Sequence, residues 1–249
     1  MSPVVAFGQR YLPRGWADLG RQLVIWFGFG LLYQVARGLA DRNPTKAFSN
    51  GIRVINFESH AHALFEISLQ RFIASPGLLT SLADWTYWMS QFTVVGLALL
   101  WVYFRHNESF TRFRNVLLLA NALGLVGYVL LPTAPPRMFP GFGFTDSLAM
   151  YGSIKHESGL IQLASNPYAA MPSLHSADAL IVGVTLAVLV RNWPMKIVWL
   201  LWPAWVWFCV MATGNHFWLD VAGGILVAGV AAAVIYHPFI GRRRPAPTG

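Results

Sequence analysis

Long apolar blocks separated by short polar ones organise this chain. Six runs, at about 23–40, 85–104, 116–132, 176–190, 197–212 and 217–236, each approach the roughly 20 residues needed to cross the hydrocarbon core of a bilayer as a helix. The pattern predicts an all-α, polytopic membrane protein, a six-transmembrane-helix bundle that makes a single membrane domain of residues 1–249. The first run reads as a retained span rather than a signal peptide. Arg10, Arg14 and Arg21 precede it and no small-residue cleavage site follows. Between the first two runs the pattern changes. Phe57, Ala61, Leu64, Phe65, Leu69 and Phe72 keep helical spacing, while Glu58, His62, Glu66 and Gln70 form an i, i+4 polar stripe. This predicts an interfacial amphipathic helix over about 52–74 with the stripe, and His60 beside it, facing water.

Composition sharpens the membrane reading. The chain is 55% apolar and only 11% charged, less than half the charged share of an average soluble domain. Disorder would need the opposite balance, low hydrophobicity with high net charge. The net charge of +8 would suggest nucleic acid as partner in a soluble protein, but here the basic residues sit between the apolar runs. They read as a topology signal with anionic lipid headgroups as counter-charges, and no nucleic-acid partner is expected. With six spans, eleven Lys and Arg fall on the side of the termini and seven, including Arg37, Arg53, Arg71, Arg137 and Lys155, on the other. The excess predicts cytoplasmic termini, with the loops 41–84, 133–175 and 213–216 on the outer face of the cell membrane. The single cysteine, Cys209, has no partner for a disulfide and reads as a small buried hydrophobe.

Two polar stretches carry ionisable residues at the ends of apolar runs, where they are costly. In NPYAAMPSLHSADA, residues 166–179, Pro172 suits a first helical turn. The amides of Ser173 and Leu174 then lack carbonyl partners within the helix and form an anion site beside His175. In ATGNHFWLDVAGG, residues 212–224, His216 and Asp220 are four apart. On a helix they share one face, and a carboxylate that fixes one ring nitrogen leaves the other free as a nucleophile. Alone, each stretch also fits a structural histidine. Together, on one side of the membrane, they place two histidines, an aspartate and an anion-binding helix end in the catalytic part at about 130–224.

These residues carry a resemblance to the type 2 phosphatidic acid phosphatase superfamily, through PSLH at 172–175 and His216 with Asp220. The chain is similar to the subgroup that includes the fungal inositol phosphorylceramide synthase, which has PSLH where the phosphatases commonly have PSGH and an APP segment upstream, here LPTAPPRMFPGFGFTD at 131–146. The resemblance covers most of the chain from about residue 50. It implies a phosphohistidine mechanism with no metal or other cofactor: His216 as nucleophile, Asp220 as its orienting carboxylate and His175 as acid and then base. The family's first motif, a Lys with an Arg-Pro seven residues on, is absent. Val210 stands where an arginine is expected six residues before the nucleophile. Arg137 is the leading replacement for phosphate binding, with Ser173 and Lys155 beside it and His156 behind. Arg137 as a plain headgroup anchor is the competing reading. Asp178 lies outside the family pattern; three residues after His175, it either orients that ring or caps the helix start.

The expected partners are a membrane phospholipid as donor and either a lipid hydroxyl or water as acceptor. Loss of two cationic positions suits a phosphodiester, with one negative charge, better than a monoester with nearly two. The expected reaction is therefore transfer of a phospho-headgroup, of phosphoinositol type, to a lipid hydroxyl. A lipid phosphate or polyprenyl diphosphate phosphatase is the alternative. A transporter with a His–Asp proton relay, and a metal site of His175, His216 and Asp220, are readings from other classes.

Overall fold

In a computed structural model of the protein, residues 12–39, 43–75, 77–146 and 166–237 are described. They form α1 (Gly15–Leu39), α2 (Pro44–His60), α3 (Glu66–Phe72), α4 (Leu78–Met89), α5 (Val95–Arg105), α6 (Asn107–Leu130), α7 (Leu174–Leu189), α8 (Trp193–Ala212) and α9 (Trp218–Tyr236). A π turn at Ser90–Val94 joins α4 and α5 into one continuous helical run, Leu78–Arg105. No strand occurs among the described residues, where the extended pairing is an isolated parallel bridge between Thr133 and Ala169.

Four helical runs are long and apolar enough to cross a membrane: Leu78–Arg105, Asn107–Leu130, Trp193–Ala212 and Trp218–Tyr236. The count reaches five if the bent pair α1 and α2 makes one span. The expected run at 176–190 is α7, an apolar helix of 16 residues, about 24 Å long against a hydrocarbon core of about 30 Å. Helices also begin earlier than their apolar runs. The first two turns of α6, Asn107–Asn115, are mostly polar, because a backbone already committed to a helix continues into the headgroup zone while its side chains reach water.

α7 is the central helix and packs against α6, α8, α9 and the end of α5. Its residues Leu174, Ala177 and Val182 meet Val102, Leu117, Ala120, Ala228 and Ala231 in the main core, all at most 3% exposed. Close approach to α9 depends on a glycine. A Cβ on Gly224 would lie 2.2 Å from the Ser173 carbonyl oxygen. Cys209 is buried with Ile73, Ala83 and Ala212, as a small hydrophobe should be.

The segment 52–74 is corrected in two ways. It is two helices, α2 and α3, with a turn between them that closes on Ala63 N–H to Glu58 carbonyl and puts His62 at φ 53°. Its faces are also reversed. Glu58, Glu66 and Gln70 are at most 2% exposed, whereas Phe57, Phe65 and Phe72 lie 42–70% open. His60 and His62 are exposed. An amphipathic segment turns its polar side to water only when no better polar partner exists, and here one does.

Candidate active site

The first histidine stretch folds as a helix start. Ser173 is the N-cap of α7, its hydroxyl accepting from Ser176 N–H at 3.3 Å, the usual device for a free helical amide. Its own N–H donates to the Asp220 carbonyl at 2.9 Å, and the Ser176 hydroxyl donates to the Val221 carbonyl at 3.0 Å. The expectation of an open Ser173 amide is thereby corrected: the residue is fully buried and both its polar groups are engaged inside the protein. What this turn delivers is His175, the second residue of α7, stacked on Tyr87 with ring centroids 4.6 Å apart.

The second stretch forms the turn before α9. Gly214 sits at φ 73°, and a Cβ there would meet Gln70 Nε2 at 2.3 Å and the Thr145 carbonyl at 2.8 Å, so only glycine serves. The turn holds His216 opposite His175, with ring centroids 5.8 Å apart. His216 Nδ1 lies 3.4 Å from Asp220 Oδ2, just beyond a good hydrogen bond, as pairs of this kind are before substrate binds. The same Oδ2 accepts from Phe217 N–H at 2.9 Å, so one carboxylate both caps α9 and faces the ring.

Arg137 is brought to this turn. Its N–H donates to the Gly214 carbonyl at 2.9 Å, and its guanidinium donates to Asn215 Oδ1 and stands 3.9 Å from Asp146 Oδ2. Gln70 fixes the loop behind it through two hydrogen bonds with the Thr145 backbone, at 2.8 and 3.1 Å.

The stripe read as facing water belongs to this site. Glu66 accepts from Trp218 N–H at 2.7 Å and Glu58 from Leu219 N–H at 3.1 Å, the first two amides of α9. In an unbroken helix, residues eight apart would stand about 12 Å apart along the axis. The turn at 61–65 folds both carboxyl groups onto the same helix start, and the second oxygen of each, Oε2, is buried without a hydrogen-bond partner. Burial holds the Glu66 carboxyl above its ordinary range, opposed by the Trp218 N–H and reinforced by Asp220.

His175, His216 and Arg137 open into one cavity, lined also by Arg37, Tyr33 and Tyr128 and, at its depth, by Tyr87 and Gln91. The π turn begins beside Gln91, an irregularity common at functional positions. Asp178 does not orient His175; it accepts from Asn121 at 2.9 Å and Gln91 at 3.5 Å. Lys155 and His156 lie outside the described residues. Among the described residues, no group of three His, Cys, Asp or Glu is placed to hold a metal ion. Sequence reasoning missed Glu58 and Glu66 as parts of the site. It counted Arg37 only as a loop charge, although an arginine inside an apolar run is itself a functional signal.

Residues 52–234 match the family model described as PAP2 superfamily. Among curated proteins, the chain is similar to the phosphoinositol dihydroceramide synthase of Bacteroides thetaiotaomicron, 27% identical over 143 residues that cover 52% of this chain and 47% of the relative. The chain thus spans about half the length of the curated relative it matches. No solved structure matches.

Proposed function

Because the chain belongs to the PAP2 superfamily, the type 2 phosphatidic acid phosphatase superfamily, we propose that it is a membrane phosphotransferase. It moves a phospho-headgroup from a phospholipid to a lipid hydroxyl through a phosphohistidine. The carrying observation is the convergence of His216, Asp220, His175 and Arg137 on one cavity. The relative's name, a phosphoinositol dihydroceramide synthase, supports a phosphoinositol-type headgroup and a sphingoid-type acceptor.

Asp220 faces Nδ1 of His216 and leaves Nε2 free. In the first step Nε2 attacks phosphorus, the P–O bond to the lipid alkoxide breaks, and protonated His175 gives its proton to the departing oxygen. The positive charge that develops on His216 is balanced by Asp220. Arg137 holds the equatorial phosphate oxygens and is itself aimed by Asn215. In the second step the acceptor hydroxyl loses its proton to His175 and attacks phosphorus, and the N–P bond breaks. Water in place of the lipid would make the protein a phosphatase.

The proposed arrangement in the membrane has six spans, with α1 and the short α7 counted among them, and with α2 and α3 lying at the interface on the site's side. Both termini are cytoplasmic and the cavity opens to the outside of the cell membrane. A cysteine at Gly141, on an exposed loop beside the site with room for a side chain, should react with a membrane-impermeant thiol reagent in intact cells. One at Glu108, at the opposite end of α6, should not. The reverse pattern would overturn the orientation.

Incubating purified protein with a phospholipid panel, with and without a long-chain lipid alcohol, separates the reactions by mass spectrometry. A new phospholipid that appears only with the alcohol is the expected result. Free headgroup phosphate would mean hydrolysis, and no turnover of any lipid would sink the enzyme reading. Turnover blocked by vanadate and insensitive to a strong chelator is the further expectation; loss of activity on chelation would overturn the metal-free mechanism.

A further inference from the structure

Arg37 lies in the last turn of α1, outside residues 52–234 that match the family. It nonetheless lines the cavity that holds His175, His216 and Arg137. Its Nε is buried and finds no hydrogen-bond partner, and no carboxylate stands within ion-pair distance of its guanidinium among the described residues. A guanidinium stays charged and carries five donors. Arg37 is half-buried, and holding its Nε out of water with no counter-charge beside it is unfavourable unless a ligand supplies one. Among the described residues, the remaining polar lining of the cavity is neutral, namely tyrosine hydroxyls and the amides of Gln91, Asn166 and Asn215. Each carboxylate described nearby is occupied elsewhere. Asp146 stands beside Arg137, Asp178 accepts from Asn121 and Gln91, and Asp220 lies behind His216. The Asn166 Nδ2 group is likewise buried without a partner.

We propose that Arg37 is a substrate-binding residue, taking a non-bridging phosphate oxygen of the donor from the α1 side while Arg137 holds the phosphate from the other. This rests on the reading of the cavity as the phosphoryl-transfer site. It supplies, from a helix the family match does not reach, a cation of the kind missing at Val210. It also sets headgroup specificity. A cavity with two guanidiniums and no carboxylate among its described lining residues repels an ammonium group, so donors with choline or ethanolamine headgroups are excluded and those with uncharged polyol headgroups are admitted.

The test uses the purified full chain in detergent, with Arg37→Gln, Arg37→Lys and, as a control, Arg53→Gln on the exposed face of α2. Orthovanadate binding, measured by calorimetry, should weaken at least tenfold in Arg37→Gln, recover partly in Arg37→Lys and stay unchanged in Arg53→Gln. In turnover assays Arg37→Gln should raise KM for a polyol-headgroup donor more than it lowers kcat, and should narrow the discrimination against phosphatidylcholine. If Arg37→Gln unfolds, Arg37→Lys carries the test, because a merely structural cation would tolerate lysine with no change in vanadate affinity. Wild-type vanadate affinity in a folded Arg37→Gln or Arg37→Lys would overturn the proposal and leave the transferase reading standing. Hydrolysis without transfer by the wild type would overturn the transferase reading, while weakened vanadate binding in Arg37→Gln would still hold for Arg37.

Discussion

The starts of α7 and α9 carry the two histidine stretches, and they are built by opposite means. α7 is capped within four residues, by the hydroxyl of Ser173 on the amide of Ser176, a neutral and local device. α9 is capped by three carboxylates. Asp220 takes the amide of Phe217, while Glu66 and Glu58, more than 150 residues away in sequence, take those of Trp218 and Leu219. All three are fully buried. The difference follows from the work proposed for each end. His175 passes a proton and returns to its starting charge, whereas His216 becomes a cation in the phosphohistidine. A helix start that brings the Asp220 carboxylate to the ring suits the second task, because that charge stands beside His216 before the reaction begins.

The sharpest way to break this comparison is to remove its reacting members. His216→Ala is expected to abolish turnover, since no neighbouring side chain can present a nucleophilic nitrogen to the same point. Asp220→Asn should retain a residual rate, with kcat lowered on the order of a thousandfold or more, as for other orienting carboxylates. Measured activity near wild type in His216→Ala would end the mechanism. A loss under tenfold in Asp220→Asn would mean that the negative charge needed at His216 comes from elsewhere in the carboxylate group.

The same contrast explains what could be read from the chain alone. The place of the α7 start was legible to within two residues, because proline and histidine are neighbours and local rules govern them, but Pro172 precedes the N-cap Ser173 instead of entering the first turn. His216 and Asp220 were legible as a pair but not as neighbours on one helix face: His216 stands in the turn two residues before α9, and Asp220 in the first turn of α9 reaches back to it. Glu58 and Glu66 were not. Amphipathic spacing identifies a polar face but not what it meets, and in this protein it meets the free amides of a helix that begins at Trp218. The apolar face of the same segment is left outward, at Phe57, Phe65 and Phe72. Arg37 escaped for a related reason. Its charge was counted as a vote on topology, and only tertiary packing shows that the end of α1 closes over the site. The helix boundaries and the shortness of α7 were only approximate in the hydropathy pattern, because polar first turns extend a helix beyond its apolar run.

Smaller effects follow from the glutamate pair, and they separate charge from capping. Glu66→Ala leaves the buried Trp218 amide without an acceptor, which should cost about 1–3 kcal/mol in detergent unfolding and lower kcat through the displaced His216. Glu66→Gln keeps an acceptor for that amide and the shape of the side chain, so its stability near neutral pH should match wild type. The pH dependence should not match. With the Glu66 carboxyl held above its ordinary value of about 4.5, the folded state keeps a proton that the unfolded state has lost. Stability therefore falls as pH rises from about 4.5 to the raised value, then levels off. In Glu66→Gln this part of the slope should vanish. A wild-type slope in the variant would show that Glu66 is not the group that keeps the proton.

The smallest expected effect is at the other helix start. Ser173→Ala removes one cap hydrogen bond and should destabilise the protein by about 1 kcal/mol. The bond from Ser173 N–H to the Asp220 carbonyl survives, because it uses the backbone, so α7 should stay in register against α9. If Ser173 acts only through this fold, kcat and KM for the donor should change less than threefold, and vanadate affinity should not move. A fall in vanadate affinity of tenfold or more, at unchanged thermal stability, would mean that the start of α7 opens to the phosphate during catalysis. Ser173 would then return to the binding site as a donor, and the neutral, local helix start would take part in holding the anion alongside the charged one.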